Sequence, residues 1–328
     1  MRKFWKPAAL AAFVGLALFA TWVRLPYYAL GPGPAREVEP LIHVSGAPVY
    51  QSGGKFVMTT VSFEPATALV ALLAWVDPHR YVVGRNELFP PHETPQQEQR
   101  RSLSEMDTSK LDAASVVLER LSRYPRDHAV GALIESVVPA CPAEGRLYAG
   151  DQVLSIDGTA VRSRAQAVRL LDAGPQGAPV TIRVRAGGQT HDVTVTRRRC
   201  GGAARPLVGI TLIPSFPYSI RIESDDVGGP SAGLMWALGL YDLLTPGDLT
   251  RGRIIAGTGT IDLKGTVGPI GGVGDKVVAA ERAGAAVFLC PKQDLKAAQA
   301  ASDGTLDIVS VASFQDALDT LRGSISSP

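Results

Sequence analysis

Two short segments carry the residue types that acyl-transfer chemistry needs. The first is Gly228-Gly229-Pro230-Ser231-Ala232-Gly233, followed by the apolar run Leu234–Leu244 and stopped by Thr245-Pro246-Gly247. The pattern predicts a helix over Leu234–Leu244 with Ser231 just before it. A serine among glycines at a helix start has an exposed hydroxyl and lets a substrate backbone come close. Free N–H groups around Gly229, Pro230 and Ala232 can then face a developing oxyanion. Gly-Pro-Ser is also an ordinary helix start, so the serine needs a partner. The five histidines, His43, His79, His92, His128 and His191, all precede it. The second segment, Gly271-Gly272-Val273-Gly274-Asp275-Lys276, offers a different base. Lys276 opens a predicted helix, Lys276–Ala283, that ends at Gly284. The helix macrodipole opposes a cation there, and exclusion of water pushes the same way, toward the neutral amine. A neutral lysine can take the proton of a serine hydroxyl. Lys264, in the turn Asp262-Leu263-Lys264-Gly265, and Lys292 and Lys296, in a polar helix start, are expected to be solvated.

Together and in this order, the two motifs resemble the Lon protease family of Ser-Lys peptidases (family S16). The likeness extends through Ala256-Gly257-Thr258-Gly259, Gly265-Thr266-Val267 and Ala279-Ala280-Glu281-Arg282-Ala283-Gly284. The resemblance implies that Ser231 is the nucleophile, Lys276 the general base and Thr258 the residue that orients the lysine. Gly228 stands where relatives often carry aspartate, and Thr260 where they often carry glutamate. Asp225 and Asp226 read as a solvated loop. Upstream, the strand Phe56–Val61 and Met106-Asp107-Thr108-Ser109 are similar to the first half of the same proteolytic domain. So is the following helix, with Leu111, Ala114, Val117, Leu118 and Leu121 on one face.

Between the two halves the pattern changes to short alternating runs. Gly131–Val138, Val180–Arg185 and His191–Thr196 read as strands and Arg164–Leu171 as a helix. The run Pro142-Ala143-Glu144-Gly145-Arg146-Leu147-Tyr148-Ala149-Gly150-Asp151-Gln152-Val153-Leu154-Ser155-Ile156-Asp157-Gly158 resembles a PDZ domain of the bacterial protease type. That likeness implies a carboxylate-binding loop at Val130, Gly131, Ala132 and Leu133, and a peptide added as an extra strand. A structural spacer that binds nothing is the alternative. Cys141 and Cys200 bracket this module, and whether they pair is left open by the sequence. Cys290, after Ala286–Leu289, reads as a buried thiol.

The 328 residues are 45% hydrophobic and 20% charged, which excludes disorder as the dominant state. The net charge of +2 gives no nucleic-acid footprint. Residues 1–24 carry Arg2, Lys3, Lys6 and Arg24 and no acid, so the body is mildly acidic and its N-terminus basic. Pro7–Val23 is uncharged, with Trp5 and Trp22 near its ends. It predicts an uncleaved transmembrane helix over residues 7–25, a cleaved signal peptide being the rival. The positive-inside rule then puts residues 1–6 in the cytoplasm and everything after the helix outside. Residues 26–40, with Gly31-Pro32-Gly33-Pro34, read as a spacer. Strands are expected at Leu41–Val44 and Lys55–Phe63, a helix at Ala66–Trp75, and a polar stretch at His92–Arg101.

The expected architecture is α+β. A Lon proteolytic domain (ribosomal protein S5 domain 2-like), split into residues 41–127 and 201–328, holds an inserted PDZ-like β-sandwich or barrel over 128–200. The whole is similar to membrane-anchored PDZ–Lon proteins. The expected function is a membrane-anchored, ATP-independent serine endopeptidase acting on proteins or peptides outside the cytoplasm. The sequence has no Gly-x-x-x-x-Gly-Lys-Ser/Thr motif for ATP, no third glycine of a dinucleotide fingerprint and no His-Glu-x-x-His metal spacing. No cofactor, metal or nucleic-acid partner is therefore expected, and the resemblance implies a homo-hexamer. The alternatives are a non-catalytic PDZ scaffold with a protease-like fold, and a protein that only cleaves itself.

Overall fold

The structure, a computed structural model, describes residue 15, residues 19–88 and residues 94–323. The first elements are β1 (Arg24–Glu37), β2 (Ile42–Ser45), β3 (Lys55–Thr67), α1 (Ala68–Val76), β4 (Tyr81–Gly84), α2 (Arg85–Leu88) and α3 (Pro95–Leu121). A second group follows: β5 (Ala129–Val137), β6 (Gln152–Ile156), β7 (Thr159–Ala160), α4 (Arg164–Asp172), β8 (Pro179–Ala186), β9 (Gln189–Thr196) and β10 (Ile210–Ser215). The chain continues with β11 (Ser219–Ile222), α5 (Gly233–Leu244), β12 (Ile254–Gly257), β13 (Thr260–Ile261), β14 (Val267–Gly268) and α6 (Val273–Arg282). It ends with β15 (Val287–Pro291), α7 (Leu295–Ala301), β16 (Asp307–Val311) and α8 (Phe314–Gly323).

The main sheet has the order β16-β15-β12-β3-β1-β4. Strands β16, β15, β12 and β3 are parallel, whereas β1 runs antiparallel to both β3 and β4. Side chains alternate across it, as a strand requires. Phe56, Met58, Ile255 and Leu289 face a core that includes Met106 of α3 and Trp236 of α5. Val57, Ala256 and Phe288 face the opposite core, with Val277 and Ala280 of α6. The sheet thus lies between two helical layers, and its strands come from both sides of the β5–β10 module.

That module has its own sheet, β10-β5-β6-β8-β9, over a core of Ile134, Leu147, Val153, Ile156 and Ile182 closed by Ala167 and Leu171 of α4. Cys141 and Cys200 form a disulfide within it. Cys290 is buried, and burial pushes its thiol up to about 11.

Several expectations differ from the structure or fall outside its described residues. Residues 7–14 and 16–18 of the expected membrane helix lie outside the described residues. Phe19–Trp22 is helical, but Arg24 and Leu25 already belong to β1, and no described helix is long and apolar enough to cross a membrane. The expected spacer 26–40 is mostly strand. Its glycines and prolines serve close pairing rather than a turn: a Cβ on Gly33 would lie 2.3 Å from Thr60 Oγ1, and the register with β3 shifts between Pro32 and Ala35. The polar stretch 92–101 is largely the start of α3. Thr94 caps that helix, with Pro95 in its first turn and Gln97 completing a reciprocal capping box. The Thr-Pro-x-Gln pattern of this cap is itself a sequence signal for a helix start. Finally, β10 belongs to the module's sheet, so the module reaches residue 215 and not 200. The apolar alternation Val208, Ile210, Leu212 marks this strand.

Glu39 Oε1 accepts the Phe56 N–H at 2.8 Å and ties the start of β3 to the preceding turn, while Oε2 is buried without a hydrogen-bond donor. Burial raises its carboxyl to about 7, and raises Asp112 to about 7 as well. Both bind a proton more tightly when folded. Their stabilising contribution is complete below the ordinary values of 4.5 and 3.8 and is lost as pH rises through about 7. The melting temperature is therefore expected to fall from about pH 5 to pH 8, and Glu39→Gln to flatten that fall. An identical slope in the variant would show that Glu39 is not its source.

Candidate active site

Ser231 sits in the tight turn Pro230–Ala232 that leads directly into α5. Lys276 lies in the first turn of α6. These helices pack on opposite faces of the main sheet and converge past the C-terminal end of β12, where the chain continues into Thr258. Lys276 Nζ is 2.9 Å from Ser231 Oγ and 3.1 Å from Thr258 Oγ1. Thr258 Oγ1 donates to the Ser231 carbonyl at 3.0 Å, and the Gly259 N–H donates to the same oxygen at 2.7 Å. Lys276 is only 4% exposed. Burial lowers its amine to about 8, against a weaker upward pull from Asp294. The helix starts three residues earlier than expected, and the Lys276 N–H donates to the Gly272 carbonyl at 3.2 Å. Desolvation, more than the helix dipole, thus accounts for the lowered value.

The serine turn is clamped by α3. The Gly229 N–H donates to the Ser102 carbonyl at 2.7 Å, and Ser109 Oγ donates to the Pro230 carbonyl at 3.0 Å. This corrects the expected oxyanion hole. Gly229 has already spent its N–H and Pro230 has none, so neither can face a developing oxyanion. Ser109 lay within the Met-x-x-Ser motif. Ser102 contributes a backbone oxygen, so no side-chain signal could have flagged it. Close packing also explains Gly233, where a Cβ would meet Ser109 Oγ at 2.6 Å and Ile261 Cγ2 at 2.7 Å.

The remaining candidates lie apart from this pair. Lys264, Lys292 and Lys296 are exposed. Asp225 and Asp226 are exposed too, and Asp225 pairs with Arg36 at 2.9 Å. A cleft lined by Asp107, Lys110, Asp151, Phe216 and Arg221 opens where the module meets the main body, and does not include Ser231. Among the described residues, no group of three or more His, Cys, Asp or Glu side chains is placed to hold a metal ion.

The residues expected to form the module's carboxylate-binding loop are strand. Val130, Gly131, Ala132 and Leu133 lie within β5, where Leu133 is opposite Ile213 of β10 on one side and Gln152 of β6 on the other. An interior strand has no edge to offer a peptide. The edge next to α4 is β10. Two of its carbonyls already have donors: Arg164 Nε is 2.6 Å from the Leu212 oxygen, and Tyr124 Oη is 3.0 Å from the Pro214 oxygen.

Residues 225–322 match the Lon protease (S16) C-terminal proteolytic domain, and residues 133–186 match a PDZ domain. Lon protease 2 of Bacillus subtilis is 38% identical over 109 residues, covering 33% of this chain and 18% of that protein. The Lon protease of Roseiflexus castenholzii is 42% identical over 93 residues, covering 27% of this chain and 11% of that protein. The chain thus spans less than a fifth of these relatives' length. A solved PDZ domain of an SdrC-like protein from Listeria monocytogenes is 28% identical, covers 25% of this chain and 87% of that one, and has a TM-score of 0.24. The matches thus assign a Lon-type proteolytic-domain likeness to residues 225–322 and a PDZ likeness to residues 133–186.

Replacing Gly233 by alanine is expected to destabilise the fold by about 1–3 kcal/mol through overpacking against Ser109 and Ile261. Urea denaturation reads this directly, and an unchanged midpoint would show that both contacts yield without cost.

Proposed function

We propose that the chain is an ATP-independent serine endopeptidase, anchored in a membrane by the uncharged stretch Pro7–Val23, that cleaves proteins or peptides outside the cytoplasm. Its nucleophile is Ser231 and its general base Lys276. The observation that carries this reading is the 2.9 Å separation of Ser231 Oγ and Lys276 Nζ at an amine removed from water. In the neutral state Lys276 accepts the hydroxyl proton while Oγ forms a bond to the substrate carbonyl carbon. The negative charge that develops on the carbonyl oxygen is met by backbone N–H donors of the turn around Ser231. The C–N bond then breaks, and the Lys276 ammonium returns its proton to the leaving amine. Water attacks the resulting ester with the same lysine as base and releases Ser231. Thr258 acts through the lysine by holding its amine toward Oγ.

The PDZ domain, in this reading, takes peptide along the β10 edge, and the peptide displaces Arg164 from the Leu212 carbonyl. Six-fold assembly is carried over from the resemblance to Lon-type peptidases. A non-catalytic scaffold would be favoured by a gap between the two side chains, and the 2.9 Å contact removes that motive.

Casein turnover tests the chemistry. Ser231→Ala and Lys276→Arg, with melting temperatures unchanged, are each expected to lose at least ~10³-fold in kcat/KM. Full activity of Ser231→Ala would overturn the proposal. The wild-type kcat/KM is expected to rise about tenfold per pH unit and to level above about 8, because the working species is the deprotonated amine. A flat profile between pH ~6 and ~9 would exclude Lys276 as the base.

A further inference from the structure

Helix α1 is the least expected surface of the molecule. Its nine residues, Ala68-Leu69-Val70-Ala71-Leu72-Leu73-Ala74-Trp75-Val76, contain no polar side chain, yet only Ala74 is buried. Trp75 is 85% exposed and Val76 73%, and Leu72 and Leu73 are more than half exposed. Exposed Phe63, near the end of β3, and Trp22, 88% exposed just before β1, belong to the segments that join α1. A continuous apolar face of this kind is not left to water.

The path of the chain indicates what covers it. The uncharged stretch Pro7–Val23 ends at the point where α1 begins: the Ala68 N–H donates to the Val23 carbonyl at 3.2 Å, and Arg24 pairs with Thr67. Wherever that stretch enters a bilayer, the N-terminus of α1 sits one hydrogen bond from its exit. At 1.5 Å per residue α1 is only about 14 Å long, too short to cross a hydrocarbon core but suited to lie along its surface. Trp22 and Trp75 are the side chains that favour the headgroup boundary. A surface for a second copy would instead be expected to carry a polar rim with hydrogen-bonding groups, and α1 has none of its own.

We infer that α1, with Trp22 and Phe63, is a second, interfacial membrane contact that lays the protease body against the lipid surface. This rests on the proposed anchor. It also has a consequence for the site, because Tyr81 of the bordering strand β4 donates to Asp275 Oδ2 at 3.1 Å, next to Lys276. One hydrogen bond therefore links the strand that borders α1 to the residue beside Lys276.

The full-length protein is reconstituted into phosphatidylcholine–phosphatidylglycerol vesicles with an environment-sensitive fluorophore on Val76→Cys, or on Tyr148→Cys in the PDZ domain as a control. Val76 is expected to be quenched at least ~2-fold by lipids with brominated chains and Tyr148 not, with both proteins floating with the vesicles. Leu73→Glu/Trp75→Glu, placed on exposed positions, is expected to keep flotation and abolish quenching at position 76. Flotation without quenching at 76 would overturn the inference and leave the anchor standing. A blue shift at 76 that depends on protein concentration in detergent, without quenching in vesicles, would overturn it in favour of a second copy. Absence of flotation would overturn both.

Discussion

Lys276 has lost nearly all contact with solvent, and an amine in that state needs protein partners to replace water. Ser231 Oγ and Thr258 Oγ1 are those partners, and much of the main body serves to hold them there. Val273, Val277 and Ala280 seat α6 on one face of the sheet, while α5 is buried along almost its full length on the other. The two helices meet only past the end of β12, where Thr258 bonds both the lysine and the serine backbone. Burial that depresses the amine also makes misplacement costly, because an unpaired buried amine has no water to fall back on. In the proposed reaction the same feature does both things: it keeps the base reachable near neutrality and fixes its direction.

The clamp on the serine turn comes from far away in sequence. Ser102 and Ser109 lie on α3, before the PDZ module, and Ser231 lies after it. The two halves of the main sheet must therefore fold together before the turn is held, with the module leaving and returning between them. Strand β10 makes the return. Leu212 belongs to the module's core and the next residue, Ile213, to that of the main body, so one strand packs into both. The edge that a peptide would use is thus mechanically continuous with the body that carries the Ser–Lys pair.

The sheet has two different ends. At one, β12 and β15 are parallel and flanked by helices, as expected of strands buried on both faces. At the other, β1 and β4 are antiparallel and border the apolar surface of α1. The proposed lipid contact lies at that edge, against the exposed apolar side chains of α1.

Much of the chemistry was legible from residue type and order alone. Ser231 in its glycine-rich turn, Lys276 after a second glycine run and the absence of any histidine after residue 191 point to a Ser–Lys pair, because these are local facts about which groups exist, and the resemblance to Lon-type peptidases adds Thr258. The capping residues Thr94 and Gln97 are equally local, a helix start written inside a polar stretch. Other features were decided by tertiary structure. Glycines and prolines in β1 look like a spacer until Thr60 is found against Gly33. The N–H of Gly229 looks free until the Ser102 carbonyl is placed upon it. Val130–Leu133 looks like a binding edge until β10 arrives on its outer side. Each depends on a partner distant in sequence, and hydrogen bonding is exclusive: a donor or strand edge that one part of the chain has used is no longer available to a ligand. Sequence by itself determined which groups could react; only the tertiary structure decided which of them were left free to do so.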